Sequence, residues 1–119
     1  MTMDPLCATL LVRGLDDWLH LADLDWLVRK QLPHSADADV PNLAAEAIAT
    51  LVDDGFVQVG EVTDGGFIEW DSTAADARLR IEAEWLALDH PAAPGDVCWV
   101  ANTSRGDERA RQMRRVEPP

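Results

Sequence analysis

The sequence has no tyrosine, only two cysteines and 10 basic residues against 22 acidic ones. Each shortage excludes something. Cys7 and Cys98 are too few for the disulfide framework of a small secreted domain, and neither has the neighbours of a metal-ligand motif. A reduced, cytoplasmic setting is therefore expected. No stretch approaches the roughly 18 consecutive apolar residues of a membrane-spanning helix. The one apolar run near the start, residues 6–12, follows Asp4 instead of a basic segment and precedes no cleavage-like site, so it does not read as a signal peptide. Neither a dinucleotide fingerprint nor a P-loop occurs, and Asp64-Gly65-Gly66 is too short to cradle a phosphate. No cofactor and no metal site are expected.

The acids that outnumber the bases are unevenly spread. Residues 105–117 hold five arginines (Arg105, Arg109, Arg111, Arg114, Arg115) against Asp107, Glu108 and Glu117, which leaves residues 1–104 with five bases and 19 acids. The body is acidic and the tail basic, for a formal net charge of −12. Such a field repels phosphate backbones and acidic membranes and speeds encounter with basic partners.

With 119 residues, 47% of them hydrophobic and falling in recurring blocks, the chain suits one domain with one core and a frayed end from about residue 114. Residues 15–31 read as helical, with two apolar stripes: Leu15, Trp18, Leu19, Ala22 and Trp26 on one, Leu21, Leu24 and Val28 on the other. Two stripes imply a helix packed on two sides, or two short helices broken near Ala22. After a polar loop, Pro41 opens a second helix in which Leu43, Ala44, Ala47, Ile48 and Leu51 recur at helical spacing, and Gly55 ends it. FVQVGEV, the turn Asp64-Gly65-Gly66 and FIEW then spell a β-hairpin over residues 56–70. Thr73 caps a third helix through its spacing to Asp76, with Ala77, Ile81, Trp85 and Leu88 on one face. HPAAPG is a rigid loop, residues 97–101 a covered strand, and residues 105–113 a last helix. The expected fold class is α+β, helices packed on one side of a small antiparallel sheet of about three strands.

Helix, acidic-Gly stop and hairpin in NLAAEAIATLVDDGFVQVGEVTDGGFIEW resemble the recognition helix and wing of winged-helix domains. VCWVANTSRGDERAR is similar to the strand, Thr-x-x-Gly step and closing helix that follow the wing in several bacterial regulators of that fold, with Thr103 and Gly106 at the step. The resemblance covers about half the chain and implies a winged-helix-like architecture. A base-reading helix uses Arg, Lys, Asn or Gln. This one offers Asn42, Glu46, Thr50, Asp53 and Asp54, and its wing offers Glu61, Asp64 and Glu69. DNA is therefore not the expected partner at that surface.

The remaining motifs are weak carriers of chemistry. His20, His34 and His90 have no histidine or cysteine at ligand spacing; His20 with Asp16 or Asp23 forms at most a His–carboxylate pair on a helix. HSAD, residues 34–37, lacks the strand-to-helix elbow of a serine nucleophile. Asp16, Asp17, Asp23 and Asp25 lack the spacing of a calcium loop and read as a solvated face. Arg105-Gly106-Asp107 is a chance adhesion-like tripeptide. Of five tryptophans, Trp18, Trp26 and Trp85 lie at core-like helical spacing, Trp70 and Trp99 suit a covered sheet, and any exposed one would mark a binding patch.

These readings point to a non-enzymatic, acidic, protein-binding module, in the manner of an immunity or antitoxin-like inhibitor of a basic partner. Asp53, Asp54, Glu61, Asp64 and Glu69 are the residues expected to meet that partner, with no catalytic residue assigned. The alternative is a winged-helix transcriptional regulator, or a relative that has lost DNA binding, whose phosphate contacts would come from the arginines of the tail. An enzyme using His20 or His34 ranks third, and a homodimeric form is left open.

Overall fold

Asp4 starts the first helix in the computed structural model, which describes residues 3–116. Its carboxylate accepts from the backbone N–H groups of Leu6 and Cys7, and Pro5 occupies the first turn, where a missing N–H costs nothing. The helix α1 (Pro5–Arg13) buries Leu6, Cys7, Leu10 and Leu11. The apolar run at residues 6–12 is thus a core helix.

The segment expected as one helix over residues 15–31 is divided. A two-residue strand, β1 (Leu19–His20), precedes α2 (Leu21–Gln31). His20 sets the boundary: its ring nitrogen accepts from the Asp23 backbone N–H while the Asp23 carboxylate accepts from the His20 N–H, a reciprocal capping box. Starting the helix at Leu21 buries Leu21, Leu24, Leu27 and Val28. The other stripe is split: Leu19, in β1, is buried in the core, whereas Trp18 is 40% and Trp26 49% exposed. The assignment of these two tryptophans to the core is corrected accordingly.

A 3₁₀ turn at Asp37–Asp39 leads into α3 (Val40–Asp53), which buries Val40, Ala44, Ala45, Ala47, Ile48 and Leu51. Beyond its last residue Gly55 adopts a φ of +79°, the left-handed conformation that glycine enters without a steric penalty. There its N–H bonds to the Val52 carbonyl and the Phe56 N–H to the Leu51 carbonyl, which stops the helix and launches the hairpin. The hairpin is β2 (Val57–Thr63) and β3 (Gly66–Glu69), as expected. Thr73 caps α4 (Ala74–Leu86) by accepting from the Asp76 N–H, also as expected. The chain closes with β4 (Trp99–Asn102), which begins two residues later than the expected 97–101 because Val97 turns at a φ of +58°, and α5 (Ser104–Val116). α5 continues past the expected end at Met113, and residues 117–119, the rest of the expected frayed tail, lie outside the described residues.

The sheet is antiparallel throughout, in the order β1-β4-β2-β3. It has four strands where about three were expected, the extra one being β1. Register pairs Val59 with Val100 and Val100 with Leu19, which places these side chains on one face. That face joins Leu21, Leu24, Val28, Ile48, Leu51, Ile81 and Trp85 in one buried cluster. The fold is therefore mixed α+β, with its helices massed on one side of the sheet. No helix among the described residues is long and apolar enough to cross a membrane.

Thr103 and Gly106 form a joint between the two halves of the chain. The Thr103 N–H donates to the Phe56 carbonyl at 2.9 Å, its hydroxyl donates to the Gly55 carbonyl at 2.7 Å, and the same hydroxyl accepts from the Gly106 N–H at 3.0 Å. A Cβ on Gly106 would stand 1.9 Å from the Phe56 oxygen, so α5 can approach the α3–β2 turn only if this position lacks a side chain.

Two substitutions test this account. Trp85 is 8% exposed within the core cluster, so Trp85→Ala is expected to destabilise by about 3–5 kcal/mol in chemical unfolding. A loss below about 1 kcal/mol would contradict its burial. Gly106→Ala must push α5 away from Phe56 and is expected to cost at least about 2 kcal/mol. Ala is the better helix former by about 1 kcal/mol, so a more stable Gly106→Ala variant would contradict the close approach.

Candidate functional site

Strand alternation gives the sheet a second face. His20 pairs with Trp99, Trp99 with Gly60, and Val62 with Phe67, so these residues point away from the helices. Trp99 and Phe67 are only partly buried and Val62 is 38% exposed. Trp18, immediately before β1, brings its ring to 5.7 Å from that of Phe67, and the His20 ring meets Trp99 edge-on at 5.4 Å. Aromatic side chains thus lie across the side of the sheet opposite the core.

Acidic residues rim one end of this face. A cleft of about 380 Å³ is lined by Asp16, Asp17, Trp18, His20, Asp23 and Trp99 together with Arg13. Asp16 and Asp17 belong to the loop between α1 and β1, and Asp23 to the first turn of α2. The Asp17 carboxylate accepts from the Trp18 N–H at 2.8 Å, which holds the loop carboxylate beside the exposed indole. On the other side of Trp99 a second cleft, of about 360 Å³, carries Glu61 and Glu84. The expectation that an exposed tryptophan would mark a patch leads to Trp18. Its companion Trp99 becomes visible only through strand register.

The five acids expected to meet a partner do not gather at one place. Asp53 and Asp54 end α3, while Asp64 sits in the hairpin turn; the seven residues of β2, at about 3.3 Å each, put roughly 20 Å between the two groups. Glu61 sits at 3.6 Å from Arg80, which also bonds Glu84 at 2.6 Å and stacks over Trp70 at 3.8 Å. Glu69 pairs opposite Gly60, on the aromatic face. The basic helix α5 folds back on the acidic body: Arg114 reaches Asp16 at 3.5 Å, and Arg109 lines a cleft with Asp4 and Asp54. The side chain of Arg115 lies outside the described residues.

The residues with chemical potential have structural duties. His20 and Asp23 do meet, as a helix cap. His34 is exposed beyond the end of α2. Burial, reinforced by Asp4, pushes the Cys7 thiol up to about 11, and burial pushes Cys98 up to about 12. Neither is a thiolate near neutral pH. Among the described residues no group of three or more His, Cys, Asp or Glu side chains is arranged to hold a metal ion. No family model matches the chain, and no curated protein or solved structure shows significant similarity to it.

His90 has a role that its sequence position concealed. Its Nδ1 lies 2.8 Å from the Asp89 carboxylate and its Nε2 2.9 Å from that of Asp96, which also accepts from the Ala93 N–H. The imidazole clasps the loop that runs into Cys98 and Trp99. Val97 in that loop has a φ of +58°, a rare conformation for a β-branched residue, held where the Cys98 N–H bonds the Asp96 carbonyl.

Hydrogen bonds to Asp89 and Asp96 raise the pKa of His90 above its ordinary 6.5. A raised folded-state value means the clasp contributes fully below pH 6.5 and is lost as pH rises through the raised value. Amide exchange at Ala93, corrected for its intrinsic rate, is expected to be better protected below pH 6.5 than at a pH above the raised value. His90→Gln should remove that difference, and equal protection at both pH values in the parent would contradict the clasp.

Proposed function

We propose that the chain is a non-enzymatic protein-binding module whose acidic body engages a basic partner protein, in the manner of an immunity or antitoxin-like inhibitor. One observation carries this reading: the sheet face opposite the core bears partly exposed aromatics, Trp18 foremost, inside a strongly negative field. Exposed tryptophan is an interface anchor, since it brings large rigid area at little entropic cost. Nineteen acids against five bases in residues 1–104 select for positive charge in whatever meets it. A second copy of the chain suits this face poorly, because two such bodies repel.

A winged-helix regulator is the second reading. It is favoured by the succession of α2, α3 and the β2–β3 hairpin and by the Thr103–Gly106 joint. Against it, the exposed positions of α3 include Glu46, Thr50 and Asp53, which repel phosphate or carry no positive charge.

The two readings separate by experiment. Affinity capture from the host, followed by stopped-flow mixing with the captured protein, should yield a partner of pI above about 9 whose association quickens at least tenfold between about 300 and 20 mM salt. A partner that is acidic, or whose association ignores salt, would refute the first reading. Titration with random and genomic upstream duplexes at about 150 mM salt is expected to show no binding near 10⁻⁸ M. Binding of that strength, lost when Arg109, Arg111 and Arg114 become Ala, would promote the regulator.

A further inference from the structure

We infer that the cleft between Trp18 and Trp99 receives an arginine side chain of the basic partner, an inference that rests on the protein-binding reading above. The argument begins with how this chain treats its own tryptophans. Trp26 is covered by the ammonium of Lys30 at 4.6 Å and the guanidinium of Arg13 at 5.6 Å. Trp70 is covered by Arg80 at 3.8 Å, and Trp85 is buried. Trp18 and Trp99 are therefore the two tryptophans with neither a stacked cation nor full burial among the described residues. Both line the same cleft.

The cleft supplies what a guanidinium requires. Phe67 supports the Trp18 ring and His20 the Trp99 ring, so both indoles are held in place before a partner arrives. Asp16, Asp17 and Asp23 bring three carboxylates to the rim, against Arg13, which also lies over Trp26, and Arg114, which reaches Asp16 at 3.5 Å. A planar cation that stacks on an indole and forks its N–H groups toward a carboxylate matches both features. An ammonium is a compact, strongly hydrated point charge and uses the aromatic walls less well. The volume, about 380 Å³, lies within the range of sites that hold a small ligand or a pair of side chains. The occupant is thus an arginine-bearing protein segment, and the carboxylate rim disfavours a phosphate-bearing one.

Hexa-arginine and hexa-lysine peptides, titrated separately into the ¹⁵N-labelled chain at about 50 mM salt, test this inference through the indole N–H resonances. Hexa-arginine is expected to shift the Trp18 and Trp99 signals and to bind at least about fivefold tighter than hexa-lysine. Trp18→Ala should weaken its binding about tenfold, whereas Leu79→Ala, which alters an exposed apolar residue on α4 outside the cleft, should leave it unchanged. Thermal unfolding reports whether each variant is folded, and Asp17→Asn, which keeps every ring, provides a second variant expected to lose severalfold. Equal binding of both peptides that is insensitive to Trp18→Ala and Asp17→Asn would overturn the arginine cleft while sparing the basic-partner reading. Failure of both peptides to bind would overturn both readings.

Discussion

The hydroxyl of Thr103 is the point on which the two halves of this chain turn. It joins the carbonyl that ends the α3 stop to the first turn of α5, while the Thr103 N–H takes up the next carbonyl, that of Phe56. Three backbone groups that a helix end and a strand start would otherwise leave unpaired are satisfied by one residue. This fixes where β2 begins, and hence which of its residues face the core. It also fixes the direction in which α5 leaves β4. Arg105 then lies over the Phe56 ring at 5.1 Å, and α5 runs back along α1. The Asn102 side chain reinforces the same junction by donating to the Leu11 carbonyl at 2.9 Å.

A second small device decides what the surface offers. The His20–Asp23 box starts α2 at Leu21, three residues after Trp18, and the start of a helix sets the phase of everything on it. With that start the leucine stripe is buried, Leu19 stays in the core through β1, and Trp18 and Trp26 are turned out. Had the helix begun near Leu15, Trp18 would have belonged to it and could not have lain across the sheet beside Phe67. The candidate surface is thus a consequence of a cap and two residues of strand.

This explains which parts of the molecule were legible in the sequence. The hairpin, α3, α4 with its Thr73 cap, and β4 were readable because each carries a local signal: alternation, a glycine stop, a cap spacing, or apolarity on both faces. α1 and β1 were not. α1 is nine residues long, and its apolar run reads equally as a strand. β1 is two residues long and exists only because β4 pairs with it. The acids expected to meet a partner were legible as charges but not as a site, since Asp54 and Asp64 fall at opposite ends of β2. That Trp18 and Trp99 line one cleft depends on the pairing of β1 with β4, in which His20 stands opposite Trp99 from a distant part of the sequence, and no local pattern records this.

The partnership of α1 with α5 has a kinetic side. These helices come from opposite ends of the described chain, and closing so long a loop is entropically costly until nearly every other contact is in place. Ala110 on α5 is fully buried in the same cluster as Leu6 and Leu10 of α1. During synthesis the flank of α1 that α5 covers must therefore stay open until α5 has been made, although α2 and α3 can cover the rest of α1 earlier. The early chain is most vulnerable to aggregation or proteolysis during that interval, and the acidic character of everything made in between keeps such chains apart.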